Sequence, residues 1–488
     1  MHVKRNWGGK IIATMQYNNP VKTKILTFLL IILPLGLGVG EVLSPRPLEL
    51  TQKLAQVSKA RASEDFSVEL NGMELILEYE PWRGSQWQRI GRLYLDTHQP
   101  GRAVAAFEQA ESLGALDAQG FLWLADALLQ NGEKQASINV LNGFRTTDSF
   151  LLNQAAALLR QADELQLAEE KIRLAYEVDP LDPEINYQLG LMLLAEDPVA
   201  ARNAFAISQK EEGRSAAARY LSEVIDLYYD QEINADWLIT AGKALEQVGE
   251  WDVAVKTFRS AVLADPQNAL AFALLGFAQQ HTGEDGLAAL QQALTMDTEG
   301  EMPNAMLGIY YHQQGKLEEA FVLLQKSADA NPKAAARRIE MASELADLGR
   351  LDEALTQYEA AAAINEQDPQ PWVALAKFSL TRNFHVQDVG LKAVRRALLL
   401  KEDDPVTLDL AGTAYMILGD FDSAERFFNE ALQKDPGEAA ILIHLGQLYL
   451  QRGDQEKAFG ILRQAAEQAE DVRLKEMAER LLFENGAP

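Results

Sequence analysis

The chain has 488 residues, 45 basic against 71 acidic side chains for a net charge of −26, 48% apolar residues and no cysteine. Without cysteine there is no disulfide framework and no thiolate metal site. The acidic balance repels phosphate backbones and anionic head groups, so nucleic acid is not expected as a partner.

Taken in chain order, residues 1–40 carry Lys4, Arg5, Lys10, Lys22 and Lys24 but no acid, and Ile25 to Gly40 is uncharged and largely apolar. As a helix that run spans roughly 24 Å, short of the ~30 Å hydrocarbon core, although Val42 and Leu43 extend it past Glu41. Three readings stand. An uncleaved signal anchor over 25–43 fits the missing alanine cleavage site. A cleaved signal peptide fits the short run with Pro34, Gly36, Gly38 and Gly40. A buried helix would need a cover for its all-round apolar surface. The positive flank places residues 1–24 in the cytoplasm and the repeats beyond the membrane. Past residue 40, 40 of the 45 basic residues face all 71 acids. Such a surface keeps an exported protein soluble and names no partner by itself.

From residue 84 a small residue returns with a period near 34: Gly91, Ala125, Ala156, Gly190, Gly242, Gly276, Gly308, Ala342, Ala376, Gly412 and Gly446. Three residues on stands Tyr or Leu, as at Tyr94, Leu245, Tyr311, Tyr415 and Tyr449; seven on stands glycine, as at Gly132, Gly249, Gly283, Gly315, Gly349, Gly419 and Gly453. Ala, a large apolar residue and Ala come next, clearest in Ala254–Phe258–Ala261 and Ala424–Phe428–Ala431, and Pro180, Pro266, Pro332 and Pro436 close units. Each unit is a pair of helices joined by a glycine turn, with a small residue where the two cross. No unit buries its apolar face alone, so the stack is the fold.

These registered positions resemble the tetratricopeptide repeat family over nearly the whole chain after residue 80. The resemblance implies an all-α, right-handed superhelical solenoid of about 11 repeats. A degenerate first repeat, a C-terminal capping helix and one preceding N-terminal hydrophobic helix complete the expected fold. The expected segments are 1–24 basic tail, 25–43 anchor or signal peptide, 44–83 linker and degenerate repeat, 84–212 first repeat segment, 213–234 joint, 235–472 second repeat segment, and 473–488 cap and tail.

The joint comes from the 52-residue step between Gly190 and Gly242, one repeat plus 18 residues, in which Ala218, Leu221, Val224, Ile225 and Tyr228 recur at helical spacing. The segment 48–80 reads either as a helical repeat, because Pro81 occupies the closing position, or as a β-hairpin turning at Asn71-Gly72. Val472 to Phe483 reads as the cap, with Leu474, Met477, Leu481 and Leu482 inward.

Catalytic motifs are missing. The run Gly36, Gly38, Gly40 lies in the hydrophobic segment with no strand before it, and no phosphate loop, zinc helix or nucleophile elbow occurs. His281 and His312 fall near one place in consecutive repeats, and Asp297, Glu299 and Glu301 share a loop, but a metal, cofactor or small-molecule substrate is not expected. The protein is read as no enzyme.

In the family, ligands lie along first-helix residues facing the concave side. The chaperone-type Lys and Asn clamp and the asparagine ladder of sugar transferases are absent here. The register marks an apolar stretch instead, with Tyr187, Leu191, Leu194, Phe277, Ile309 and His312 as the candidate peptide-binding groove. Several of these side chains equally suit inter-repeat core. The function expected is a non-catalytic scaffold displayed outside the cytoplasm and binding peptide or helical segments of other proteins. The alternative is an accessory subunit of an envelope enzyme or export complex handling polysaccharide or lipoprotein.

Overall fold

The computed structural model of the protein describes residues 48–62, 66–209, 214–228, 233–469 and 471–487. These form 26 α-helices and no strand, in two compact units, Met1–Asp179 and Pro180–Pro488. Consecutive helices pair as hairpins, and within each unit first helices also touch the first helix of the next hairpin. The anchor or signal peptide expected over 25–43 lies outside the described residues. No helix among those described is long and apolar enough to cross a membrane.

The crossing residues behave as the spacing requires. A Cβ on Gly242 would lie 2.4 Å from the Phe258 ring, and one on Gly412 would lie 2.5 Å from the Phe428 ring. Gly91 and Gly190 meet Phe107 and Phe205 in the same way. All four phenylalanines are fully buried. The aromatic of each second helix thus fills the space that its glycine vacates, which is interior-density packing of a ring against backbone.

Helix starts absorb part of the acidity. The carboxylates of Asp117, Asp148, Asp182, Asp404 and Asp454 each accept a backbone N–H of the first turn, where the helix dipole also favours negative charge. Pro198 opens its helix, Pro198–Ser208, where a missing N–H costs nothing. At the hairpin turns Gly249 and Gly419 have φ of 82° and 80°. In repeats without that glycine, His98, Asp163 and Asn383 hold the same seventh position at φ 55°, 56° and 46°. The turn is therefore set by the hairpin, and three non-glycine residues are held in a conformation that L side chains disfavour.

The first repeat is helical, Leu48–Ala62 and Phe66–Tyr79, so the hairpin alternative is corrected. Asn71 and Gly72 lie inside the second helix. Gly72 marks another crossing: a Cβ there would fall 2.2 Å from Val57 Cγ2, so this glycine serves close packing rather than a turn. The extra helix is Ser215–Leu227, burying Ala218, Leu221 and Ile225, and it lies within the second unit. The final helix, Val472–Glu484, sets Leu474, Met477 and Leu481 against Leu442, Ile443 and Ala465 while Arg473, Glu476 and Arg480 face water.

Candidate functional site

The six residues marked by register separate into two groups. Tyr187, Leu191 and Leu194 are core, 0%, 1% and 1% exposed. On Pro183–Leu193 and its C-cap, the expected exposed stripe is thus corrected. The Tyr187 ring meets Phe205 at 6.0 Å, and the Arg214 guanidinium lies over it at 4.8 Å. Arg214 caps the start of the extra helix and pairs with Glu184 at 3.2 Å, so the inserted segment closes over this stretch. The hydrogen bonds and charge of Glu184 hold the Arg214 guanidinium above its ordinary pKa against the opposing effect of burial.

The other three retain accessible surface. Phe277, on Ala269–His281, is half-buried and meets His281 at 4.9 Å and Trp251 at 6.1 Å. His281 stacks on Trp251 at 3.8 Å with planes 9° apart, and desolvation by burial lowers its pKa below the ordinary imidazole value. Ile309, on Glu301–Gln313, is half-buried against Leu324, Ala328, Met341 and Phe321. His312 is exposed, and its Nδ1 lies 2.8 Å from Glu344 Oε2 on the next first helix, Ala335–Asp347. The two histidines therefore engage different neighbours, Trp251 for one and Glu344 for the other.

Two further residues, at the fourth position after Gly242 and Gly276, bury polar atoms. Glu246 Oε1 and Gln280 Oε1 are buried and have no hydrogen-bond partner. Burial pushes the Glu246 carboxyl up to about 7, against the opposing pull of Lys243. Register alone placed them in line with Leu194 and His312, and their buried acceptors are the signal that sequence reasoning passed over. The acidic loop is already engaged: Glu299 pairs with Lys326 at 3.4 Å and Glu301 with Arg337 at 3.1 Å. A cleft of about 670 Å³, which register did not indicate, opens beside Arg395, Leu398, Leu399, Phe427 and Lys434. The rings of Trp251, Phe277 and His281 form one packed cluster in which Trp251 and Phe277 keep part of their surface in water and His281 is exposed.

Tetratricopeptide repeat family models match residues 89–148, 239–301 and 415–481. Those three stretches, together less than half of the chain, are of the tetratricopeptide type. Over 152 residues the chain is 28% identical to the BBSome complex member BBS4 of Bos taurus, covering 31% of this chain and 28% of that protein. It is 28% identical over 147 residues to the aspartyl/asparaginyl beta-hydroxylase of Mus musculus, covering 28% of this chain and 19% of that protein. The chain thus spans less than a third of the length of these relatives. It is also similar to the crystal structure of yeast Tom70, at 14% identity over 89% of this chain and 95% of that one, with a TM-score of 0.42. To the APC/C hetero-tetramer Cut9-Hcn1 it shows 17% identity over 90% and 91%, with a TM-score of 0.41.

Proposed function

We propose that this chain is a non-catalytic scaffold that captures an apolar-faced peptide or helix of another protein on the first-helix surface carrying Phe277 and Ile309. The observation that carries the reading is the ring cluster of half-buried Trp251 and Phe277 with exposed His281, where register mates such as Leu191 are core. Rings held by their own stack lose little conformational freedom on binding, which suits them as anchors.

On this reading residues 25–43 anchor the chain, residues 1–24 remain cytoplasmic and the repeats work beyond the membrane as part of a protein assembly. The likeness to a BBSome complex member supports assembly membership, and the acidic surface argues against nucleic acid. The extra helix, Ser215–Leu227, acts as a joint that sets the opening near Phe277. The test is Phe277→Asp in the full chain. It should abolish capture of partners recovered with the parent, while helical signal and melting temperature stay at parental values. The same change at exposed Glu319 should leave capture intact. A folded Phe277→Asp protein that keeps every partner contradicts the reading. A C-terminal reporter active only in the cytoplasm, and active in intact cells, contradicts the topology.

A further inference from the structure

His312, Glu344 and Asp347 bring one imidazole nitrogen and two carboxylate oxygens within 4.8 Å of one another across two successive repeats. His312 comes from Glu301–Gln313, and both acids come from Ala335–Asp347. His312 Nδ1 is 2.8 Å from Glu344 Oε2 and 3.9 Å from Asp347 Oδ2. The decisive observation is Glu344 itself. It is only 2% exposed, yet its Oε1 has no hydrogen-bond partner. A buried carboxylate oxygen left without donor or cation is costly, and one neighbouring imidazole contact does not satisfy both oxygens. Asp347 is oriented from its far side, where Arg382, the C-cap of Pro369–Thr381, donates to Oδ1 and leaves Oδ2 toward His312. A ligand held by an outer hydrogen bond in this way is the usual support of a metal site.

We propose that His312, Glu344 and Asp347 bind one divalent cation of the zinc type, stapling these two repeats together. One imidazole with two carboxylates suits zinc and similar first-row dications better than magnesium or calcium, which prefer all-oxygen sets. Three protein ligands leave a fourth tetrahedral position for water or a donor from a partner. The required movement is small: ligand atoms about 2.1 Å from one tetrahedral ion stand roughly 3.4 Å apart, so His312 and Glu344 need to part only slightly.

The site stands independently of whether Phe277 captures a peptide. Equilibrium dialysis of the full chain against zinc chloride, with magnesium chloride in excess, tests it directly. One zinc per chain should be retained, and zinc should raise the melting temperature. His312→Ala and Glu344→Gln should each weaken zinc affinity about tenfold or more and abolish the thermal gain. Glu344→Gln keeps the side-chain shape, so its circular dichroism melt without zinc separates loss of the site from loss of the fold. His98→Gly, in the other compact unit, should bind zinc as the parent does. Absence of saturable zinc binding overturns the proposal, as does full retention of zinc by both folded site variants.

Discussion

Two first helices with the same register meet opposite fates. On Pro183–Leu193, Leu191 follows the crossing glycine and is buried beside Tyr187, under the arginine that begins the inserted helix. On Ala269–His281, Phe277 occupies the equivalent place and stays half-exposed, propped by Trp251 and His281. Register therefore fixes which side of a helix a residue takes, while its exposure depends on what the next element lays over that side. The divergence extends to the fourth position, where Leu194 is buried apolar core while Gln280, and Glu246 on the preceding first helix Ala235–Gln247, each bury an Oε1 without a partner.

The largest effect should come from emptying the closed helix. Tyr187→Ala should cost about 3–5 kcal/mol in denaturant unfolding, through the cavity left against Phe205. Phe277→Ala should cost far less, on the order of 1 kcal/mol, because part of its surface is already in water. Equal losses from the two substitutions would erase the contrast.

The carboxyl at Glu246 gives the next effect. Its folded-state pKa of about 7 lies above its ordinary value of 4.5, so the folded protein holds this proton more tightly than the unfolded chain. The contribution is fully present below pH 4.5 and is lost as pH rises through 7. Glu246→Gln should therefore leave acid stability little changed and gain up to about 3 kcal/mol at pH 8. A stability difference between parent and variant that does not vary with pH would contradict this.

Gly242→Leu should cost about 1–3 kcal/mol by driving atoms into the Phe258 ring, and Gly308→Leu should do the same against Leu324. A neutral result at both would mean that the hairpin does not need its small crossing residue. The smallest effect lies at the turns. His98→Gly and Asp163→Gly should each stabilise by about 0.5–1 kcal/mol by relieving a left-handed backbone at a side-chain residue. Destabilisation there would mean that the side chains make contacts outweighing the strain.

Much of this fold was legible because its rules are local. A small residue and a ring sixteen positions on must meet wherever two helices cross, so Gly242 with Phe258 and Gly412 with Phe428 announced their hairpins. The turns at His98, Asp163 and Asn383 were silent because nothing in those side chains demands a positive φ; the neighbouring helices impose it. The hairpin reading at Asn71-Gly72 failed for a related reason: glycine serves a close crossing as readily as a turn, and only Val57 decides which. At the candidate groove, register placed all six residues on first helices or their C-caps but could not see Arg214 arriving over Tyr187. The pairing of His312 with Glu344 was hidden differently. Their separation of 32 residues is two short of the step from Gly308 to Ala342, so they hold different register positions and come together only where one first helix packs beside the next.

Capture at Phe277 is tested most sharply by photo-crosslinking in intact cells, with a benzophenone amino acid placed at position 277 and, separately, at position 319 of the full-length folded chain. Discrete protein adducts should form from position 277, with none of comparable yield from 319. Equal adducts from both positions, or adducts from 319 alone, would contradict capture at this surface.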